Sequence, residues 1–198
     1  MKTNCKRILL FLVFYTIIQF HCFASNPLNF NYCLLEFIQI EGETNINQFN
    51  LTYYNHDSGI TNRINKIELN EVNEIIEFKI PVNNFKGKNY LMESDFQDLL
   101  SASSYPLIIV GINSKLFNQI SSGTENNKIE FLLTIAGKTR NIVGHYNTSI
   151  NKNQIRLKGI TKIGLKDFSI EPPQKMFGML QVKDSIIIKF DILITNEN

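Results

Sequence analysis

The residues able to do chemistry are few and scattered. His56 and Asp57 adjoin in "YNHDSG", a base beside the kind of carboxylate that orients it in nucleophilic catalysis. Neighbours in sequence seldom face each other, and no nucleophile elbow accompanies the pair, so both read as residues of a solvated turn. His145, in "VGHYN", reads as a strand-end residue. Glu93, Asp95 and Asp98 in "MESDFQD" would suit acid–base work inside a shaped cleft; otherwise they form the wet face of a helix. Arg156, Lys158 and Lys162 in "RLKGITK" could grip an anion or simply solvate one side of a strand. Cys33 has only His56 and His145 to activate it, neither in a recognisable motif, and reads as a strand residue rather than a nucleophile. There is no Gly-rich phosphate loop and no Cys or His pair at metal-ligand spacing. Neither catalysis nor a cofactor or metal is expected.

The first two dozen residues belong to transport rather than to the fold. "MKTNCKR" is a basic head, "ILLFLVFYTIIQF" (8–20) an apolar core, and "HCFASN" offers Cys22 and Ala24 as the small residues of a cleavage site. That layout is a secretory signal peptide, with cleavage expected after Ala24. The apolar run is short for a membrane span of roughly 20 residues. Removing its three basic residues from the total of 20, with all 18 acids kept, leaves the mature chain at −1. Nothing in that balance favours nucleic acid. Residues 25–198 suffice for one domain with a real core, and a single remaining cysteine excludes an internal disulfide framework. The expected location is the periplasm or the exterior. No stable span is expected in the mature chain, and a homodimer is left open.

Positions of the apolar residues then set the architecture. "QFNLTYY" (48–54) alternates strictly, with Phe49, Leu51 and Tyr53 on one face. Ile76, Phe78 and Ile80 do the same in "EIIEFKIPV", Leu133 and Ile135 in "KIEFLLTIAG", and Ile188, Phe190 and Ile192 in "DSIIIKFDILIT". "CLLEFIQIEG" (33–42) and "QIRLKGITKI" (154–163) complete the set. Period-two alternation marks strands with one buried face. Short, regular connections such as "NHDSG" and "SSGTENN" argue for an antiparallel sheet closed on itself or a sandwich. One segment, "NYLMESDFQDLLSASSYP" (89–106), breaks the period. Met92, Phe96, Leu99 and Leu100 fall at helical spacing, Ser94 suits a helix start, and Pro106 ends the run. The expectation is one helix of about three turns covering an end of the sheet.

A barrel of about eight strands can fill its interior or leave room for one ligand. Lined by Ile76, Phe78, Ile80, Leu133, Ile135, Ile188, Phe190 and Ile192, such a space would take a hydrocarbon chain, at roughly 0.8 kcal/mol per buried CH₂. A packed core demands the same pattern. In "KDFSIEPPQKMFG" (166–178) the chain stiffens at Pro172-Pro173 and presents Met176 and Phe177, a pair suited to closing over the mouth of that space or to capping the core.

Four segments in order carry a family resemblance. They are "EGETNINQF" (41–49), "LMESDFQDLLSASSYPLI" (91–108), "LTIAGKTRNIV" (133–143) and "LKDFSIEPPQKMFGMLQVKDSIIIKFDI" (165–192). Together they resemble the YceI-like family of lipocalin-like, polyisoprenoid-binding envelope proteins, over roughly residues 34–195. The resemblance implies an all-β fold with one short helix: an extended antiparallel barrel holding an isoprenoid chain, exported and without catalysis. It implies an apolar isoprenoid-like or quinone-like lipid as partner. The short "EPPQKMFG" loop and trimmed connections point to a compact branch with a reduced or filled interior. Two functions follow: a carrier or sink for such a lipid, or a solid-core module for interaction or stress in the envelope.

Overall fold

The computed structural model describes residues 32–57, 63–65, 75–121, 127–175 and 179–195; the cleavage site at Ala24 and the mouth residues Met176 and Phe177 lie outside them. The described residues include ten strands: β1 (Tyr32–Thr44), β2 (Gln48–Tyr54), β3 (Arg63–Asn65), β4 (Ile75–Pro81), β5 (Leu107–Asn113), β6 (Lys128–Ile135), β7 (Lys138–Asn151), β8 (Gln154–Gly164), β9 (Gln174–Lys175) and β10 (Leu180–Thr195). Among the described residues, two α-helices join them, α1 (Tyr90–Leu99) and α2 (Lys115–Ser121). Eight strands form one curled antiparallel sheet in the order β2-β1-β10-β8-β7-β6-β5-β4, with β3 added to β1 and β9 to β10.

Alternation decides which side faces in. β4 buries Ile76, Phe78 and Ile80 and exposes Ile75, Glu77 and Lys79; β8 buries Ile155, Leu157, Gly159, Thr161 and Ile163. β1 departs from the period. Leu35 pairs with Ile192 and Phe37 with Asp191, so Glu36 is an extra residue opposite the ladder. This bulge keeps both Leu35 and Ile38 inside although two residues, Glu36 and Phe37, lie between them, where strict alternation would put them on opposite faces.

The sheet does not close by pairing its edges, β2 and β4. The chain after β4 bridges the seam instead: Thr52 and Lys86 exchange backbone hydrogen bonds, both of 2.8 Å. Behind the bridge Tyr53, Phe85 and Phe96 stack with ring centroids 5.8 and 5.2 Å apart. An incomplete barrel is thus sealed on one side by a loop and an aromatic column.

α1 begins earlier than its sequence suggests. Asn89, not Ser94, is the N-cap, its side chain accepting from the Met92 N–H at 3.0 Å. The helix also ends before the proline. Ser101 adopts φ 52°, its N–H bonds the Asp98 carbonyl, and the Ala102 N–H bonds that of Gln97. This paired arrangement satisfies the last carbonyls without help from Pro106.

Two turns orient the open end of the barrel. Thr44 Oγ1 accepts from the N–H groups of Ile46 and Asn47, folding the β1–β2 connection. Ala136 and Gly137, at φ 47° and 73°, form the two-residue β6–β7 turn; Tyr105 lies over Gly137, where a side chain would meet its ring at 2.5 Å. After β8, Leu165, Phe168 and Ile170 are buried, tied by Lys166 N–H to Asp184 Oδ1 at 2.9 Å.

Candidate functional site

A cavity of about 600 Å³ opens at this end. Its walls come from every layer around it. The sheet supplies Ile40, Ile108, Ile135, Ile163, Ile186 and Ile188; α1 supplies Leu91, Met92, Phe96 and Leu99. The β1–β2 hairpin adds Asn47, Gln48 and Phe49, and the last strand adds Leu180 and Val182. Pro173 is part of the wall, held by its carbonyl to the Val182 N–H at 3.1 Å. Polar groups enter at two places on the rim, Lys88, Asn89, Asp95 and Asp98 at the helix and Thr44, Asn47 and Gln48 at the hairpin. The volume lies within the roughly 300–1,000 Å³ of small-molecule sites.

Deeper in the barrel the walls converge. A second space of about 50 Å³ meets the first at Ile40, Ile108, Ile135 and Ile188 and is lined by Phe78, Phe131, Leu133, Phe190 and Ile192, among other apolar residues. The inner half is therefore close to filled and the outer half is open. Sequence alternation cannot distinguish these conditions, because each needs the same inward row.

Of the residues proposed from alternation, Ile135 and Ile188 line both spaces, while Phe78, Leu133, Phe190 and Ile192 line only the deep one. Ile76 and Ile80 are buried core on the same face and line neither. Sequence reasoning missed most of the mouth. The helical spacing of Met92, Phe96 and Leu99 did signal that face. Leu180 and Val182 were hidden because Asp184 interrupts the inward row; it serves the turn after β8 instead, its carbonyl accepting from Leu165 N–H.

The residues considered for chemistry are not brought together. Among the described residues, no group of three His, Cys, Asp or Glu side chains could hold a metal ion. Arg156 is engaged on the outer face, at 2.7 Å from Glu36 and 3.1 Å from Asp191, with Lys158 3.8 Å from the same Asp191. The bulge at Glu36 brings that carboxylate to Arg156. His145 is exposed within β7 rather than at a strand end, beside a shallow outer groove; His56 sits in a single turn of 3₁₀ helix, 5.5 Å from the Tyr54 ring. Glu93 pairs with Lys86 at 3.3 Å and accepts from the Gly87 N–H at 3.2 Å, fastening α1 to the seam bridge. Cys33 is wholly buried, and burial pushes its thiol far above the ordinary range, away from a nucleophile.

The model of the YceI-like domain matches residues 29–194. No curated protein matches the chain. Among solved structures, a polyisoprenoid binding domain from Saccharophagus degradans has a TM-score of 0.61 at 12% identity, covering 85% of this chain and 99% of that one. BcnA from Burkholderia cenocepacia has a TM-score of 0.52 at 14% identity, with coverages of 80% and 96%. At these identities the likeness is one of fold.

Proposed function

Since the chain belongs to the YceI-like family, we propose that it is a non-catalytic carrier or sink for a long apolar molecule of isoprenoid type. The observation that carries this reading is the open cavity of about 600 Å³, walled mainly by Ile, Leu, Val and Phe side chains. Such walls offer a hydrocarbon chain burial without a polar penalty, at roughly 0.8 kcal/mol per CH₂. The description of the Saccharophagus domain as polyisoprenoid binding supports the same class. The narrow inner space of about 50 Å³ favours a ligand seated in the outer half, with the inner half acting as packed core.

Export belongs to the proposal: residues 1–24 direct the chain outward, and N-terminal sequencing of the exported protein should begin at Ser25. The ligand is tested by purifying the protein from its native envelope, extracting with organic solvent and analysing by mass spectrometry. A stoichiometric isoprenoid lipid is the expected result. An empty extract, together with failure to take up a fluorescent polyprenyl analogue, would leave the solid-core module as the better account.

A further inference from the structure

We propose that the open end of the barrel is a docking surface for a phospholipid bilayer. The inference rests on the carrier reading, because a chain held in the cavity must enter from and leave to a membrane.

Its basis is the placing of exposed apolar side chains. Ile46 is 73% exposed, Tyr90 82%, Leu91 66% and Met179 72%. They come from three segments far apart in sequence: the β1–β2 turn, the first turn of α1 and the approach to β10. The fold brings them to one opening. Asn45 Nδ2 donates to the Met179 carbonyl at 2.8 Å, and the Asn45 N–H to the Gln181 carbonyl at 3.0 Å, which sets Ile46 beside Met179. Leu91 lines the cavity mouth in company with Asn47 and Gln48, the residues that follow Ile46.

Single exposed apolar residues are ordinary on any surface, but a group gathered on one opening marks an interaction site. Among the described residues, other exposed aliphatic side chains stand apart from this group; Ile150, at 71%, is at the far end of β7, away from the mouth, and Val143, at 52%, lies along the same strand. Tyrosine with aliphatic neighbours is the composition found at membrane–water interfaces. Charge is arranged to match. Lys88 lies on the rim, and Lys162 and Lys183 line a concavity on the adjoining outer wall that shares Lys88, Gln48, Phe49 and Met92 with the cavity. Glu43 in that concavity is bound to Lys183 at 2.6 Å, and Glu41 to Lys189 at 2.6 Å. Asp95 and Asp98 stay on the helix side of the mouth. Lys183 and Lys189 are thus held by carboxylates, and Lys88 and Lys162 are the cations offered to lipid phosphates while the apolar rim enters the interface.

The test is flotation of the exported chain with vesicles of phosphatidylethanolamine and phosphatidylglycerol. Replacing Ile46→Ser, Tyr90→Ser and Met179→Ser together touches no cavity wall. It should weaken vesicle binding at least about tenfold, while uptake of a fluorescent polyprenyl analogue in solution is unchanged. Ile150→Ser should bind vesicles as the parent does. Vesicles of phosphatidylcholine alone should bind more weakly; equal binding would overturn the part given to the lysines. A parent that does not float, or a triple variant that floats equally well, overturns the docking surface. Polyprenyl uptake retained in that event leaves the carrier reading standing, and its loss from the parent would sink that reading instead.

Discussion

Gly159 shows how little room the inner barrel leaves. It pairs with Phe190 across β8 and β10, and the Phe190 ring lies where a side chain at 159 would be. Phe190 in turn meets Phe131 at 6.1 Å, nearly edge-on. Gly159→Ala must therefore displace a ring that helps fill the deep space, at about 1–3 kcal/mol. Phe190→Leu in the same chain should recover part of that loss, a coupling read from a double-mutant cycle in denaturant. Additive losses would mean that the two residues do not share the space. Cys33 supplies a pH signature of the same packing. Its folded-state value is raised above the ordinary 9.0 by burial, so the folded chain keeps the proton where the unfolded chain gives it up. The stability due to the neutral thiol is complete below the unfolded value and is lost as pH rises beyond it. The stability advantage of the parent over Cys33→Ala should shrink by about 1 kcal/mol between about pH 9 and about pH 10. An advantage that does not change across that window would place the thiol in contact with water.

Among the elements, α1 joins structure to function most directly. It is capped by Asn89, fastened through Glu93 and walls the cavity with Leu91, Met92, Phe96 and Leu99. Met92→Asp should wet that wall and speed release of a bound polyprenyl analogue several-fold at equal folded fraction. Unchanged release would remove α1 from the exit route. How far each element was legible follows from its burial. β2 was readable to the residue because its alternation is strict. β7 was faint, since Gly144 and Tyr146 are its only buried residues, while Val143 and Ile150 are apolar yet exposed and blur the period. α2 spans seven residues, too few to establish a period. The bounds of α1 were misread because Asn89 and the left-handed Ser101 act locally, whereas Ser94 and Pro106 carry the more familiar signals. The loop "EPPQKMFG" was expected at the mouth, and Pro173 is part of its wall. The seam bridge of Thr52 and Lys86 could not be read at all, because it joins positions with no complementary pattern.

At the scale of the whole molecule, one barrel holds two kinds of interior. The alternation that predicts an apolar lining fixes which residues face inward, but not the distance between the walls. That distance is set by where α1 and the β1–β2 hairpin stand relative to the sheet, and it leaves about 600 Å³ at the mouth against about 50 Å³ within. The same bulky substitution should therefore have opposite consequences at the two depths. Leu133, 2% exposed, lines only the deep space. Leu133→Trp would overpack it, at about 1–3 kcal/mol, with ligand capacity falling only as folded protein is lost. Val182 is half-buried on the open side, with its side chain in the wall of the larger cavity. Val182→Trp should cost under about 1 kcal/mol, because the indole enters unfilled space and tryptophan suits a strand. It should also displace the bound chain, lowering the stoichiometry of polyprenyl analogue per folded molecule. Denaturant melting of the two delipidated variants, with titration of each, separates the effects. Equal and large losses of stability would mean that the mouth closes in solution, and full ligand capacity in Val182→Trp would place the ligand elsewhere.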